Sequence, residues 1–274
     1  RELRLAASRP GVIQPGRIQW KRGDFLRVLG IDSATLVAGM AVIDGERVIV
    51  EGFLQTRKTH SERLLPLIDF WLREAELSLA DLDGIAVTLG PGSFTGLRIG
   101  LATAKGLALG AGKPLLGIPT LDALALNLAG VPGFICPILD ARKSEVYTAV
   151  YVSPEPGRLI RLTRYLAVSP VWLLDWLRQG IEPILEPGIE VIPGFRSANK
   201  APEQPAMEQL VFDRESPVNF LGDAVPVYGE LIRENLGYRA RFTLAPHAGL
   251  RASQVAFLGQ EALSQSRIDD YRLL

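Results

Sequence analysis

LRVLGIDSATLVAGMAVIDGERVIVEGFL, residues 26–54, decides the fold. Its opening run, Leu26, Val28, Leu29 and Ile31, has the apolar, partly β-branched composition of a buried strand, and Asp32 and Ser33 end it. A second strand is predicted from Val37 to Ile43 and a third from Val48 to Leu54. Asp44-Gly45 joins them, a pair that suits a tight hairpin because glycine takes positive φ readily. An antiparallel meander of three strands results. Beyond it, Thr59 and Glu62 form a capping-box pattern, and Leu64, Leu65, Ile68, Leu72 and Ala75 follow at helical spacing, which predicts a helix from about Thr59 to Leu77. A strand over Ile85 to Leu89, a Gly-rich turn, a helix over Thr95 to Leu109, a strand over Leu115 to Ile118 and a helix from Thr120 complete the order β-β-β-α-β-α-β-α.

The following stretch reads as a second copy. Phe134 to Leu139, Val146 to Tyr151 and Leu159 to Leu166 are three more strand patterns, and Pro170 to Arg178 is helical. A later strand ends at Leu221, with helices near Val225 to Glu234 and Leu250 to Ser264. Asp32 follows the first strand of one half and Asp140 follows the first strand of the other. Internal repetition of this kind fixes architecture before function is considered. The expected fold is α/β, of the actin-like (ASKHA, ribonuclease H-like) class with duplicated β-β-β-α-β-α lobes; in that class a nucleotide sits in the cleft between the halves. The expected division is an extension outside the fold over residues 1–25, a first lobe over 26–130 and a second over 131–274. Five prolines between Gly180 and Pro217 (Pro183, Pro187, Pro193, Pro202 and Pro205) predict a long irregular region there.

Composition narrows the function classes. The chain has 274 residues, 47% of them hydrophobic and 22% charged, enough for two modest cores. Thirty basic residues balance thirty acidic ones, so no bulk positive field exists to hold a phosphate backbone, and any RNA role runs through a partner or a local patch. The single Cys136, between Ile135 and Pro137, reads as a buried structural thiol, which fits a cytoplasmic setting. No stretch approaches the roughly 20 apolar residues of a membrane helix. Residues 1–25 carry scattered Arg with Pro10, Pro15, Gly11, Gly16 and Gly23 and read as a solvated tail.

Gly90-Pro91-Gly92-Ser93-Phe94-Thr95-Gly96-Leu97-Arg98 lies between a strand and a helix, where free backbone N–H groups and the positive helix end converge on one point. That geometry suits an anion, and Gly92 and Ser93 are candidate contacts; Ser93 or Thr95 serves equally as a plain N-cap. Neither a P-loop nor a hydrolase elbow is present, since Gly96 is followed by Leu97 and Ser93 has Pro91 and Thr95 where flanking glycines would stand. Asp32 and Asp140 are each a turn residue after a strand or a cleft carboxylate facing magnesium and phosphate. Two histidines, His60 and His247, with one thiol offer no metal-ligand cluster, so no metal is expected. Gly96, Gly100, Ala104 and Ala108 recur every four residues, a smooth face that admits a second helix from this chain or another. His60 near the preceding helix start is a boundary residue or a subunit contact.

Several segments together resemble the TsaB family, formerly YeaZ: Gly30-Ile31-Asp32-Ser33-Ala34-Thr35, His60-Ser61-Glu62 with Leu64-Leu65-Pro66, Gly90 through Gly100, and Leu139-Asp140-Ala141-Arg142 with Glu145-Val146-Tyr147. The resemblance is dense over about residues 26–152 and weaker beyond, at Gly222-Asp223-Ala224 and around Pro246 and Ala248. The family's Pro-x-Tyr-Leu-Arg tail has no clear counterpart in Asp270-Tyr271-Arg272-Leu273-Leu274. The resemblance implies a non-catalytic scaffold subunit beside TsaD, which transfers a threonylcarbamoyl group to an adenosine of tRNA, with the ATPase TsaE as a third member. It implies no required cofactor, with ATP or ADP and magnesium a candidate at the complex, tRNA met through the complex, and a homodimer when the subunit is alone. The implied partner surface comprises His60, Glu62, Gly96, Gly100, Ala104 and Ala108. An independent ATPase or small-molecule kinase of the same fold is the alternative, resting on Asp32, Asp140 and the Gly-rich turn; a peptidase is a more distant one.

Overall fold

The computed structural model describes residues 26–55, 60–154, 158–179, 191–192, 215–244, 248–267 and 269. The 1–25 extension and most of the 180–217 stretch lie outside the described residues. Strands β1 (Arg27–Asp32), β2 (Val37–Asp44) and β3 (Arg47–Gln55) form the antiparallel meander, and β4 (Gly84–Gly90) and β5 (Leu115–Pro119) add to it in parallel, giving the order β3-β2-β1-β4-β5. Helix α1 (His60–Glu74) precedes β4 and helix α2 (Phe94–Ala111) precedes β5. Helix α3 (Thr120–Ala125) then crosses to the second sheet.

That second sheet repeats the first. Strands β6 (Phe134–Arg142), β7 (Glu145–Thr148), β10 (Leu166–Val168), β12 (Val218–Leu221) and β13 (Ala240–Phe242) stand in the order β10-β7-β6-β12-β13, with β6, β12 and β13 parallel. The sequence predicts continuous strands over 146–151 and 159–166. Each is instead interrupted, into β7 with β8 (Tyr151–Val152) and β9 (Leu159–Arg161) with β10, and the short β11 (Val191–Ile192) pairs with β9. At the break the Thr163 hydroxyl, not a backbone carbonyl, accepts the Val150 N–H at 3.0 Å, while Leu162 N–H donates to the Val150 carbonyl at 2.7 Å. The apolar alternation survives this local substitution, so it carries no sequence signature of its own.

Period-two alternation along β1 sorts its side chains between two cores. Leu29 and Ile31 join Leu64, Ile68, Leu72, Ala104 and Ala108 beneath α1 and α2. Val28 faces the other way, into a core shared with Ala86, Val255 and Ala256. The latter two belong to helix α6 (Ala252–Ser264), which packs across β1, β2 and β4 and is buried at most of its positions. Residues 131–274 therefore do not all build the second lobe: the chain returns to cover the first sheet. Helices α4 (Pro170–Gln179) and α5 (Val225–Leu236) cover the second.

Candidate functional site: the interlobe cleft and the paired helices

Three of the four cleft candidates come together in space. From β4 the chain passes through a cis Gly90–Pro91 bond into Gly92 and Ser93 and starts α2. Ser93 N–H donates to the Ala34 carbonyl at 2.7 Å, Ser93 Oγ accepts from Gly96 N–H at 3.3 Å, and Ser33 Oγ donates to the Gly96 carbonyl at 2.8 Å. A side chain at Gly92 would collide with the Ala34 carbonyl. The turn is thus bolted to the β1–β2 turn, and of the two readings of Ser93 the N-cap is the one the geometry displays. Asp32 lies behind this contact, 1% exposed, with Oδ1 accepting from Ala34 N–H at 2.9 Å and from Thr88 Oγ1 at 3.0 Å. Its carboxylate holds the turn.

Asp140 stands apart, near the end of β6. Its Oδ1 accepts from Arg142 N–H at 2.8 Å, and its own N–H donates to Asp223 Oδ1 at 3.0 Å. Burial, with the Asp140 charge adding to it, pushes the Asp223 carboxyl above the ordinary aspartate value. Between the lobes lies a cavity of about 370 Å³, lined by Leu36, Phe53, Leu139, Gly222, Asp223 and Leu250 among others. Asp32, Gly92, Ser93 and Asp140 do not line it. Among the described residues no group of three or more His, Cys, Asp or Glu side chains is placed to hold a metal ion; His247 is outside them.

Sequence reading missed Glu51, which reaches from β3 to the start of α6. It accepts from Ser253 N–H at 3.1 Å and Ser253 Oγ at 2.8 Å, and pairs with the Arg251 guanidinium. Burial alone would raise this carboxyl, but Arg251 and Ser253 together outweigh it and hold it below the ordinary glutamate value. A carboxylate over a helix N-terminus also meets the helix dipole favourably. No local pattern around residue 51 announces this, because its partners are about 200 positions away. Because the folded value is depressed, Glu51 contributes stability above the unfolded-state glutamate value and loses it as pH falls through the folded one. Glu51→Gln should therefore lower the melting temperature more at pH 7 than at about pH 3.5. Thermal unfolding of both proteins at the two pH values checks this, and an equal gap contradicts it.

The small-residue face of α2 requires a correction. Gly96, Gly100, Ala104 and Ala108 are buried, with Ala104 at 0% and Ala108 at 2% exposure. They face inward: side chains at Gly96 and Gly100 would strike Ser33, and Ala104 and Ala108 belong to the core under α1 and α2. The smooth stripe exists to let α2 approach the β1 end closely, so it is no partner surface. Four-residue periodicity gives a face without saying which way it points. Outward on α2 stand Arg98, Ala102, Gly106 and Leu109, the last 63% exposed. Beside α2, α1 leaves Leu65 and Phe70 more than half exposed. His60 and Glu62 fall in the first turn of α1, and their side chains lie outside the described residues.

Comparisons with known proteins bear on this arrangement. The family model described as TsaD, tRNA N6-adenosine threonylcarbamoyltransferase, matches residues 54–158. The tRNA threonylcarbamoyladenosine biosynthesis protein TsaB of Bacillus subtilis is 29% identical over 236 residues, 86% of this chain and 88% of that protein. The TsaB of Escherichia coli is 39% identical over 134 residues, 48% of this chain and 58% of that protein. Among solved structures, YeaZ from Pseudomonas aeruginosa superposes with a TM-score of 0.62 at 20% identity, covering 90% of this chain and 96% of that one. Two lobes of one strand order, a cleft between them and helices on the outer faces define an α/β protein of the actin-like class. Within that class, this chain is similar to the TsaB proteins, at 29% identity over most of its length and at 39% over about half of it.

Proposed function

We propose that this chain is the TsaB-type subunit of the machinery that makes threonylcarbamoyladenosine in tRNA, and that it supports a TsaD-type transferase without doing chemistry itself. The observation that carries the reading is likeness along 86% of the chain to a protein named for that biosynthesis. A second supports its non-catalytic side: Asp32, the carboxylate that would face magnesium in a working cleft, is 1% exposed and accepts internal hydrogen bonds from Ala34 N–H and Thr88 Oγ1. The partner surface we assign to the outward faces of α1 and α2, where Leu65, Phe70 and Leu109 stand exposed beside Ala102 and Gly106. Burying such apolar side chains against another chain is the usual core of a stable interface. The same faces would pair two copies of this chain when the partner is absent. Contact with a TsaE-type ATPase, with ATP or ADP and magnesium, and with tRNA belongs to the assembled complex, in the cytoplasm.

The test is co-purification and titration with the TsaD-type protein of the same organism, followed by a tRNA modification assay. Ala102→Arg, at an exposed position of α2, should keep the melting temperature within about 1–2 °C while weakening association by at least about tenfold. Normal association of a folded Ala102→Arg would move the interface elsewhere. Steady ATP hydrolysis by the pure chain, lost in an Asp32 variant that remains folded, would favour the independent ATPase instead.

A further inference from the structure

Outside the cleft, one cluster of titratable side chains joins the two lobes. Asp122, on α3, has a side chain only 6% exposed. Three second-lobe side chains grip its carboxylate. Tyr151 Oη on β8 donates to Oδ1 at 2.8 Å, Tyr165 Oη between β9 and β10 donates to Oδ2 at 2.7 Å, and Arg161 Nη1 on β9 reaches the two oxygens at 3.3 and 3.4 Å. The Arg161 guanidinium also lies over the Tyr165 ring, 4.1 Å from its centroid, and contacts its hydroxyl. Tyr151 is fully buried, and burial together with the Asp122 charge pushes its hydroxyl well above the ordinary tyrosine value, so it stays a donor.

The lobes also share an apolar core, in which Val28, Ala86 and Val255 of the first meet Ile135, Leu139 and Leu221 of the second. Apolar contact is non-directional and tolerates sliding. A carboxylate gripped by three donors does not, because its hydrogen bonds fail within a few tenths of an ångström and tens of degrees. We propose that Asp122, Tyr151, Arg161 and Tyr165 form an interlobe clasp that fixes the angle between the lobes and holds the 370 Å³ cavity at one aperture. Hinge closure around a ligand, the motion by which two-lobed proteins commonly act, is thereby suppressed. Glu51 with Arg251 and Ser253 ties only the first sheet to α6, within one lobe, and leaves the angle free. The clasp rests on this geometry alone and not on the partner proposed above.

The experiment measures a distance across the cleft in the full chain. Spin labels at Leu36→Cys, 73% exposed on the first lobe, and Glu145→Cys, exposed at the β6–β7 turn of the second, report the aperture by pulsed electron resonance. Cys136 stays unlabelled, since it is fully buried and its thiol is pushed up to about 12. The doubly labelled parent should give one narrow distribution. Asp122→Asn, which keeps the shape and removes the charge, should widen it by about twofold or shift it to longer distance. Tyr165→Phe removes one donor at a position 38% exposed, folds regardless of what Asp122→Asn does, and should widen it less. A lowered melting temperature with an unchanged distribution in either folded variant makes the cluster a local packing feature and overturns the clasp.

Discussion

Ala104→Arg is expected to abolish folding. Ala104 has no exposed surface and sits among Leu29, Ile31 and Val87 in the core beneath α1 and α2. Adding a long side chain there costs about 1–3 kcal/mol in overpacking. An uncompensated buried charge adds about 3–5 kcal/mol. Their sum is comparable with the entire stability of an ordinary domain, about 5–15 kcal/mol. The measurements are soluble yield and the far-ultraviolet dichroism of what is recovered. A folded Ala104→Arg with native melting behaviour would show that the small face is not the internal seam described above. Its contrast with Ala102→Arg, two residues away on the outward face, separates a role in the core from a role at a partner surface.

The second large effect is expected at Gly30. A Cβ there would lie within 3.0 Å of the Ala252 carbonyl oxygen and of the Ala256 nitrogen and Cα, all of them α6 backbone. Backbone cannot swing aside as a side chain can, so α6 must lift from β1. Gly30→Ala should cost about 3 kcal/mol, the upper end of ordinary overpacking. For a chain of this size that corresponds to a fall of about 6–12 °C in melting temperature. Gly106→Ala is the control: nothing stands within 4 Å of the added carbon. That change should stabilise by about 0.4–1 kcal/mol through the unfolded state. Calorimetry on the two variants checks both signs, and a neutral Gly30→Ala would refute the close approach.

Much of the architecture was legible in the sequence because alternation and helical spacing report burial directly. The meander over residues 26–54 and its echo from Phe134 both appear in the structure, with Asp32 and Asp140 at matching ends of β1 and β6. Legibility ended where identity depends on distant partners. Nothing near Glu51 announces Arg251, and nothing near Asp122 announces Tyr165, because hydrogen bonds across a fold leave no periodicity. The stripe from Gly96 to Ala108 was visible, but its direction was not, since small residues admit a close neighbour whether it is a strand of the same chain or a helix of another. Asp32 was legible as a residue at the end of a strand; that its carboxylate accepts from Ala34 N–H and from the distant Thr88 hydroxyl was not.

Helix α6, drawn from residues 252–264, closes the sheet that residues 27–119 build. During synthesis that sheet must therefore wait. Val28 and Ala86 on its α6 side stay wet until more than a hundred further residues have left the ribosome, and the closure joins segments more than 160 positions apart. At about 5–20 residues per second the wait lasts roughly 7–27 seconds, long on the scale of strand aggregation and chaperone binding. A nascent chain halted near residue 130 should accordingly remain protease-sensitive although all five strands of its sheet are already present.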